Sequence, residues 1–433
     1  MIIFDDNELE VAMITYNRDE WVKEWFANCF EALMERNVNL VVYDSSTNDE
    51  TKHIVEDMQA NVAKGKLKYR YISSDVWVGH VVLNAILSAE AKYIWVVGDS
   101  RYHDFNILDD KVFPALKKDI DHVILHILSN DENDGKVYVD KNEMLAECFV
   151  SMTCTGLYIY KTSIFDGIKN DAVFRKECDD KYSGNYAFTW MGYFLECYAR
   201  IQGKTLFSIV PVLDIKPEKK VQRWFKRFYE CWVEDLCNLM DGVSGLYEDT
   251  EKVIQKTWKY LNIDSNWTCI EGRKRGGLCP EIYEKYMSNK MLERVTRNTE
   301  KLREYAYARE EEIDNIEKKW FELWHMEFGQ FMDKRIGERV EELKKCNVCI
   351  YGAGAGGEMA LKALRKHKIP VKCFYDRNAK EIQQIADIQV CDLAEIENDD
   401  FILVSMMTYI PVKHELIKRG VDVKNIWYVQ EEW

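Results

Sequence analysis

Over the first two hundred residues, short runs of apolar and β-branched side chains alternate with longer stretches whose apolar positions recur every three or four residues. Glu10-Val-Ala-Met-Ile-Thr15 and Asn39-Leu-Val-Val-Tyr43 are runs of the first kind, the pattern of strands buried on both faces of a sheet. Between them Trp21, Val22, Trp25, Phe26, Cys29, Phe30, Leu33 and Met34 fall at helical spacing. Further strands are predicted at Leu67–Ile72, Tyr93–Val97, His122–Leu128 and Leu157–Tyr160. Strand–helix–strand alternation predicts an α/β domain over residues 1–215, with a parallel-rich sheet between helices. Ligands of such sheets sit at the carboxyl ends of the strands.

The pattern changes at Lys216. Residues 216–344 are rich in Trp, Tyr and charge, with helical periodicity and few strand signals. Near the end of this segment, from Asn289 to Leu343, Val295, Leu302, Ile313, Ile316, Trp320 and Leu323 stand among dense Glu, Lys and Arg. That predicts a long amphipathic helix or helix pair, with a packed face or a self-associating seam as its two uses. Strand signals return at Asn347–Tyr351, Val371–Tyr375 and Phe401–Leu403, with helices from the glycine cluster to Lys366 and near Val412–Arg419. Residues 345–433 thus read as a small Rossmann-like module.

Composition narrows the function. A chain of 433 residues exceeds one ordinary core, and 47% hydrophobic with 13% aromatic residues is a globular composition. The net charge of −15 argues against nucleic acid as the main partner, because phosphate backbones are met with surplus Lys and Arg. Thirteen scattered cysteines read as reduced thiols of a cytoplasmic protein. The Cys346-Asn-Val-Cys349 pair lacks a second pair at metal spacing. The start Met1-Ile-Ile-Phe-Asp-Asp6 lacks a signal-peptide pattern. The longest apolar stretch, Val81 to Val97, is interrupted by Asn84, Glu90 and Lys92, so no membrane span is expected.

Five polar signals follow the predicted strands in order. They are Thr15-Tyr16-Asn17-Arg18, Asp44, Asp75, Asn84 and Gly98-Asp99-Ser100. Each alone is ordinary turn chemistry. Together, at the ends of parallel strands, they offer acceptors for base N–H groups and ribose hydroxyls, and a carboxylate where a diphosphate would lie. Asp44-Ser-Ser-Thr-Asn-Asp-Glu-Thr51 adds hydroxyls and a helix cap.

On these residues, 9 to about 215 resemble the family 2 glycosyltransferases of GT-A fold. Val11 to Arg18 is similar to the family's opening strand and nucleotide-contacting loop, and Asp44 to Thr51 to its base-contacting loop. Leu83-Asn84-Ala-Ile and Ala89 to Asp99 look like the helix and strand that deliver the metal-binding Asp-x-Asp. The resemblance implies transfer of a sugar from a nucleoside diphosphate sugar, with UDP the expected nucleotide, to a glycan, lipid-linked or protein acceptor, with inversion. It implies that Thr15, Asn17, Asp44 and Asp75 line the nucleoside pocket, that Asp99 and Arg101 meet the diphosphate, and that Tyr16, Arg18, Asn84 and Ser100 belong to the same nucleotide-binding set. It further implies Mn2+ or Mg2+ on Asp99.

The chain departs from the family pattern at Asp99-Ser100-Arg101, where a second carboxylate is usual. Arg101 could neutralise a diphosphate directly, or Asp99 could keep a metal with help from His103 or Asp104. Inverting transfer needs a carboxylate to take the acceptor's proton. The family's usual acidic pair at a helix start is not evident. Asp179 and Asp180 are the candidates, read as loop residues before a helix running to about Gly203; Glu196 lies deep in that helix.

Three features remain open. Lys216-Pro-Glu-Lys-Lys-Val-Gln-Arg-Trp-Phe-Lys-Arg-Phe228 mixes cations with aromatics, fitting either a lipid diphosphate or the inner membrane face, or a solvated helix with snorkelling side chains. Arg273-Lys-Arg275 before Gly276-Gly277 is similar. Gly352-x-Gly354-x-x-Gly357 between strand and helix, with Asp376 beyond it, fits a dinucleotide fingerprint or close helix–strand packing. The alternatives to an active transferase are therefore a non-catalytic sugar-nucleotide scaffold and an NAD-dependent sugar-modifying enzyme. The long helix and terminal module also make a homo-oligomer an expectation.

Overall fold

The computed structural model describes every residue except 61, 127–132, 211, 215–222, 263, 406–411, 413–414, 418 and 430–433. At its centre lies β1 (Leu9–Thr15), an apolar strand with almost every side chain buried. Parallel neighbours flank it, β2 (Asn39–Asp44) on one side and β4 (Tyr93–Gly98) on the other, and β3 (Leu67–Tyr71) extends the sheet beyond β2. β5 (Arg101–His103) leaves the main sheet and pairs with β10 (Val212–Asp214) in an antiparallel ribbon. The far half is mixed: β8 (Tyr158–Lys161) runs antiparallel to both β4 and β6 (His122–His126). β9 (Thr205–Ile209) is parallel to β6, and β7 (Val137–Tyr138) closes the edge. Among the described residues the order is β3-β2-β1-β4-β8-β6-β9-β7. Residues 127–128 of the strand expected at His122–Leu128 lie outside the described residues.

Helices cover the sheet as the periodicity requires. α1 (Asp19–Glu35) buries Val22, Trp25, Phe26, Cys29, Phe30 and Leu33 against β1 and β2, with Trp21 and Met34 at the margin. α2 (Glu50–Gln59) carries the chain to β3, and α3 (Val78–Ser88), which buries Val81, Val82, Leu83, Ala85 and Ile86, carries it to β4. The stretch read as a loop around Asp179 is helical. Helix Ala172–Tyr182 is capped by Asp171, which accepts from the Val173 and Phe174 N–H groups, and buries Phe174, Cys178 and Tyr182 at fourfold spacing. That spacing outweighs the charged Glu-Cys-Asp-Asp-Lys sequence that suggested a loop. A second helix, Thr189–Tyr198, follows after six residues and is buried throughout.

The chain divides into two compact units, Met1–Ile313 and Asp314–Trp433. The helices from Leu236 to Tyr307 therefore pack within the first unit. The long amphipathic segment is broken, into Met291–Val295, Thr299–Tyr307, Glu310–Glu338 and Val340–Leu343. Thr296 and Ala308 take extended backbone conformations that end one helix before the next begins.

The second unit holds a sheet ordered β13-β14-β12-β11-β15-β16 (Gln384–Ile385, Ile388–Cys391, Val371–Tyr375, Val348–Tyr351, Phe401–Val404 and Ile426–Tyr428). All of its pairings are parallel except that of β13 with β14. Phe328, Met332 and Ile336 contribute to its core. All thirteen cysteines are free thiols. No helix among the described residues is long and apolar enough to cross a membrane.

Candidate active site at the strand ends

Parallel register brings the first polar residues together. Thr15 pairs with Asp44 across β1 and β2, and Ile14 pairs with Gly98 across β1 and β4. Asp99, one residue past Gly98, therefore lies beside Thr15, whose hydroxyl donates to its Oδ2 at 2.8 Å. Arg18 returns over the same strand end, and its guanidinium donates to Asp99 Oδ1 at 3.0 Å. Asp99 is only 3% exposed. Burial pushes its carboxyl above the ordinary value, opposed by Arg18 and the Thr15 hydroxyl. The Arg18 side chain remains about one third exposed and passes 5.7 Å from the Trp21 ring centroid.

Around this triad opens a cavity of about 560 Å3, within the range of small-molecule sites. Its walls are Ile14, Thr15, Tyr16, Arg18 and Ser45 from the β1 and β2 ends. Ser74, Asp75, Val76, Trp77, Val78 and Val81 follow from the start of α3, then Gly98, Asp99 and Ser100, and finally Thr155 and Tyr186. Six residues expected at the site thus converge: Thr15, Tyr16, Arg18, Asp75, Asp99 and Ser100. Asp75 is exposed, with its carboxyl lowered by a hydrogen bond from the Ser73 hydroxyl.

Other expected residues stand behind or away from the cavity. Asn17 occupies the left-handed region at φ 51°, which Asn tolerates better than most side chains. Its N–H donates to Ser46 Oγ at 2.8 Å and its Oδ1 accepts from the Thr47 N–H at 2.9 Å, so it clasps the loops after β1 and β2. Asp44 is fully buried, accepting from the Ser46 N–H and the Tyr69 hydroxyl, both at 2.9 Å. It shapes the wall without lining it. Asn84 lies on the exposed face of α3. Arg101 lies in the β5–β10 ribbon, where its carbonyl accepts from Trp25 Nε1, and does not line the cavity. Neither do Asp179, which accepts from the Tyr193 hydroxyl, nor Asp180, paired with Lys176 at 2.7 Å on the exposed helix face. Glu196 is buried with Lys181 and Tyr182.

Two aromatic residues of the cavity were not singled out in the sequence. Trp77 is 40% exposed and meets Tyr186 edge to face at 5.6 Å. The Arg227 guanidinium lies 3.4 Å from the Tyr186 ring centroid and 5.6 Å from that of Trp77. Behind them Asp235, 3% exposed, accepts from the N–H groups of Tyr186 at 3.2 Å and Ala187 at 2.8 Å. Burial raises its carboxyl to about 7. A tryptophan two residues past Asp75 was the signal available for Trp77; Tyr186 and Asp235 carried none.

The residues present do not form a protein-held divalent cation site. Both Asp99 oxygens already accept hydrogen bonds, one from a cation. His103 is buried beside Trp95 and does not line the cavity, and Asp104 caps a short helix through the Asn106 N–H. Among the described residues, the one group of three metal-capable side chains within mutual reach is Glu397, Asp399 and Asp400 of the second unit.

The glycine cluster there is tightly packed. A Cβ at Gly357 would fall 2.0 Å from the Gly352 carbonyl oxygen, and one at Gly356 2.4 Å from that of Ser405. Asp376 accepts from the Ala353 N–H at 2.7 Å, so its carboxylate braces the loop.

A mainly parallel sheet sandwiched by helices, with a polar cleft at its strand ends, is the architecture expected of a GT-A domain. Residues 10–182 match the family described as Glycosyl transferase family 2, and this match supports a glycosyltransferase enzyme. No curated protein matches the chain. Among solved structures, S. aureus TarS residues 1–349 is similar at 14% identity and TM-score 0.41, covering 70% of this chain and 93% of that one. The mannosyltransferase PcManGT from Pyrobaculum calidifontis, in complex with GDP-Man and Mn2+, is similar at 12% identity and TM-score 0.40, covering 70% and 87%. Glucosyl-3-phosphoglycerate synthase from Mycobacterium tuberculosis, in complex with Mn2+, UDP-Glc and phosphoglyceric acid, stands at 10% identity and TM-score 0.36, covering 54% and 79%.

Proposed function

We propose that this protein transfers a glycosyl unit from a UDP-sugar to a hydroxyl acceptor with inversion, and that Arg18 supplies the charge neutralisation at the diphosphate. The supporting observation is the Thr15–Asp99–Arg18 triad at the floor of the cavity. In a net-acidic chain an anionic donor needs a local cation, and Arg18 is the arginine that lines this cavity. Asp99 fixes one edge of its guanidinium, and the planar group has further N–H donors for phosphate oxygens. Tyr16, Ser45 and Asp75 form the nucleoside wall, with Asn17 and Asp44 holding its loops in place. As the acceptor oxygen bonds to the anomeric carbon it gives up its proton to solvent, and the bond to the diphosphate breaks with its electron pair leaving on UDP. A preorganised cation where that charge develops lowers the barrier.

The test is calorimetric titration of UDP and UDP-sugars, with parallel measurement of UDP release. Saturable UDP binding and sugar-dependent UDP release are expected. Failure of every nucleoside diphosphate to bind would remove the reading.

A further inference from the structure

We infer that Trp77 and Tyr186 form a stacking subsite for a pyranose ring of the acceptor, which makes a carbohydrate the acceptor class. This rests on the glycosyltransferase reading above and deepens it.

The cavity is lined by chemically unlike groups. Asp99 and Arg18 mark the diphosphate, and Tyr16 and Ser45, at the β1 and β2 ends, mark the nucleoside side. The transferable sugar and its acceptor need the part of the cavity that the nucleotide leaves, and we place them against Trp77, Val78, Thr155 and Tyr186, which share the lining with Asp99 and Arg18. That wall offers little hydrogen-bonding capacity and much ring surface. A pyranose presents one face of axial C–H groups with hydroxyls at its rim, and it stacks on an indole or phenol while its hydroxyls stay wet. A lipid chain or a peptide has no such requirement for paired flat rings.

The two rings are held rather than left to rotate. They meet edge to face at an interplanar angle of 67°, and Arg227 covers Tyr186 while its own charge is paired with Glu230. Gly79 permits the approach: a Cβ there would fall 2.8 Å from the Tyr186 carbonyl oxygen. The backbone carrying Tyr186 is fastened by Asp235 and by Asn185, whose Nδ2 donates to the Asp235 carbonyl at 2.8 Å. Despite this packing Trp77 keeps 40% of its surface exposed at the cavity wall. Such an exposed, immobilised aromatic is a prepared contact.

The test uses the full-length protein, saturated with UDP, and methyl β-glucopyranoside and methyl N-acetyl-β-glucosaminide as ring probes in saturation-transfer NMR. Wild type is expected to transfer saturation to the ring protons of at least one glycoside. Trp77→Ala should lower that signal about fivefold while UDP affinity stays within about twofold, and Trp77→Phe should retain at least half of it. Three results overturn the proposal: no transfer to either glycoside in wild type, an unchanged signal in Trp77→Ala, or loss of UDP binding in Trp77→Ala, which would put the ring in the donor pocket. UDP binding by wild type reports on the parent reading separately.

Discussion

Arg18 and Asp235 show how one neighbour changes what a side chain can do. Arg18 is half of an ion pair and is still open to the cavity, so its removal takes a phosphate ligand and leaves Asp99 buried without its cation. Hydrogen bonds to charged groups contribute about 1.5–3 kcal/mol, so Arg18→Ala should weaken UDP about 10–100-fold in calorimetric titration. Arg101→Ala, outside the cavity, should change it by less than about threefold. Asp235 carries the pH dependence. Its carboxyl is raised to about 7 by burial, with Glu230 and Glu234 on the same turn adding to the shift. Below about pH 3 it is protonated in both folded and unfolded chains. As pH rises toward 7 the unfolded chain ionises first, so the fold loses stability, on the order of 3 kcal/mol by pH 8. Asp235→Asn should remove that slope, being less stable than wild type at pH 5 for want of one acceptor and no less stable at pH 8. Urea midpoints across the pH range measure this.

At the scale of elements, the site exists because three parallel strands end in register and α3 starts close to the segment before helix Thr189–Tyr198. Gly79→Ala places a methyl against the Tyr186 carbonyl oxygen, and overpacking of this kind costs about 1–3 kcal/mol. Gly184→Ala, with nothing near the added carbon, serves as the control. A lower Tm for Gly79→Ala alone is the expected outcome. The strands were legible because buried parallel strands read as unbroken apolar runs, and the polar residues after β1 and β4 follow from where those runs stop. Tyr186 and Asp235 were not legible. They come from elements about 50 residues apart whose meeting depends on tertiary packing, and no local pattern encodes it. The helix carrying Asp179 and Asp180 was missed because its cap, Asp171, and its three buried positions are sparse among charges.

Across the whole molecule, two units carry different arguments. The second has the strand–glycine–helix order of a dinucleotide site, yet Asp376, where a ribose-binding acid would lie, already accepts from the Ala353 N–H. Fluorescence titration with NADH should therefore show no saturable change up to millimolar concentration; a saturable one would return this unit to nucleotide binding. In the first unit, where the sequence reads Asp99-Ser100-Arg101, an arginine from the first loop, Arg18, lies against Asp99. The most direct measurement is UDP affinity of wild type and Arg18→Ala, each in EDTA and in Mn2+. The account predicts wild-type affinity that differs by less than about threefold between the two conditions, and a loss of about tenfold or more in Arg18→Ala in both. Wild-type binding that appears only with Mn2+, or an Arg18→Ala protein that binds as wild type does, would contradict it.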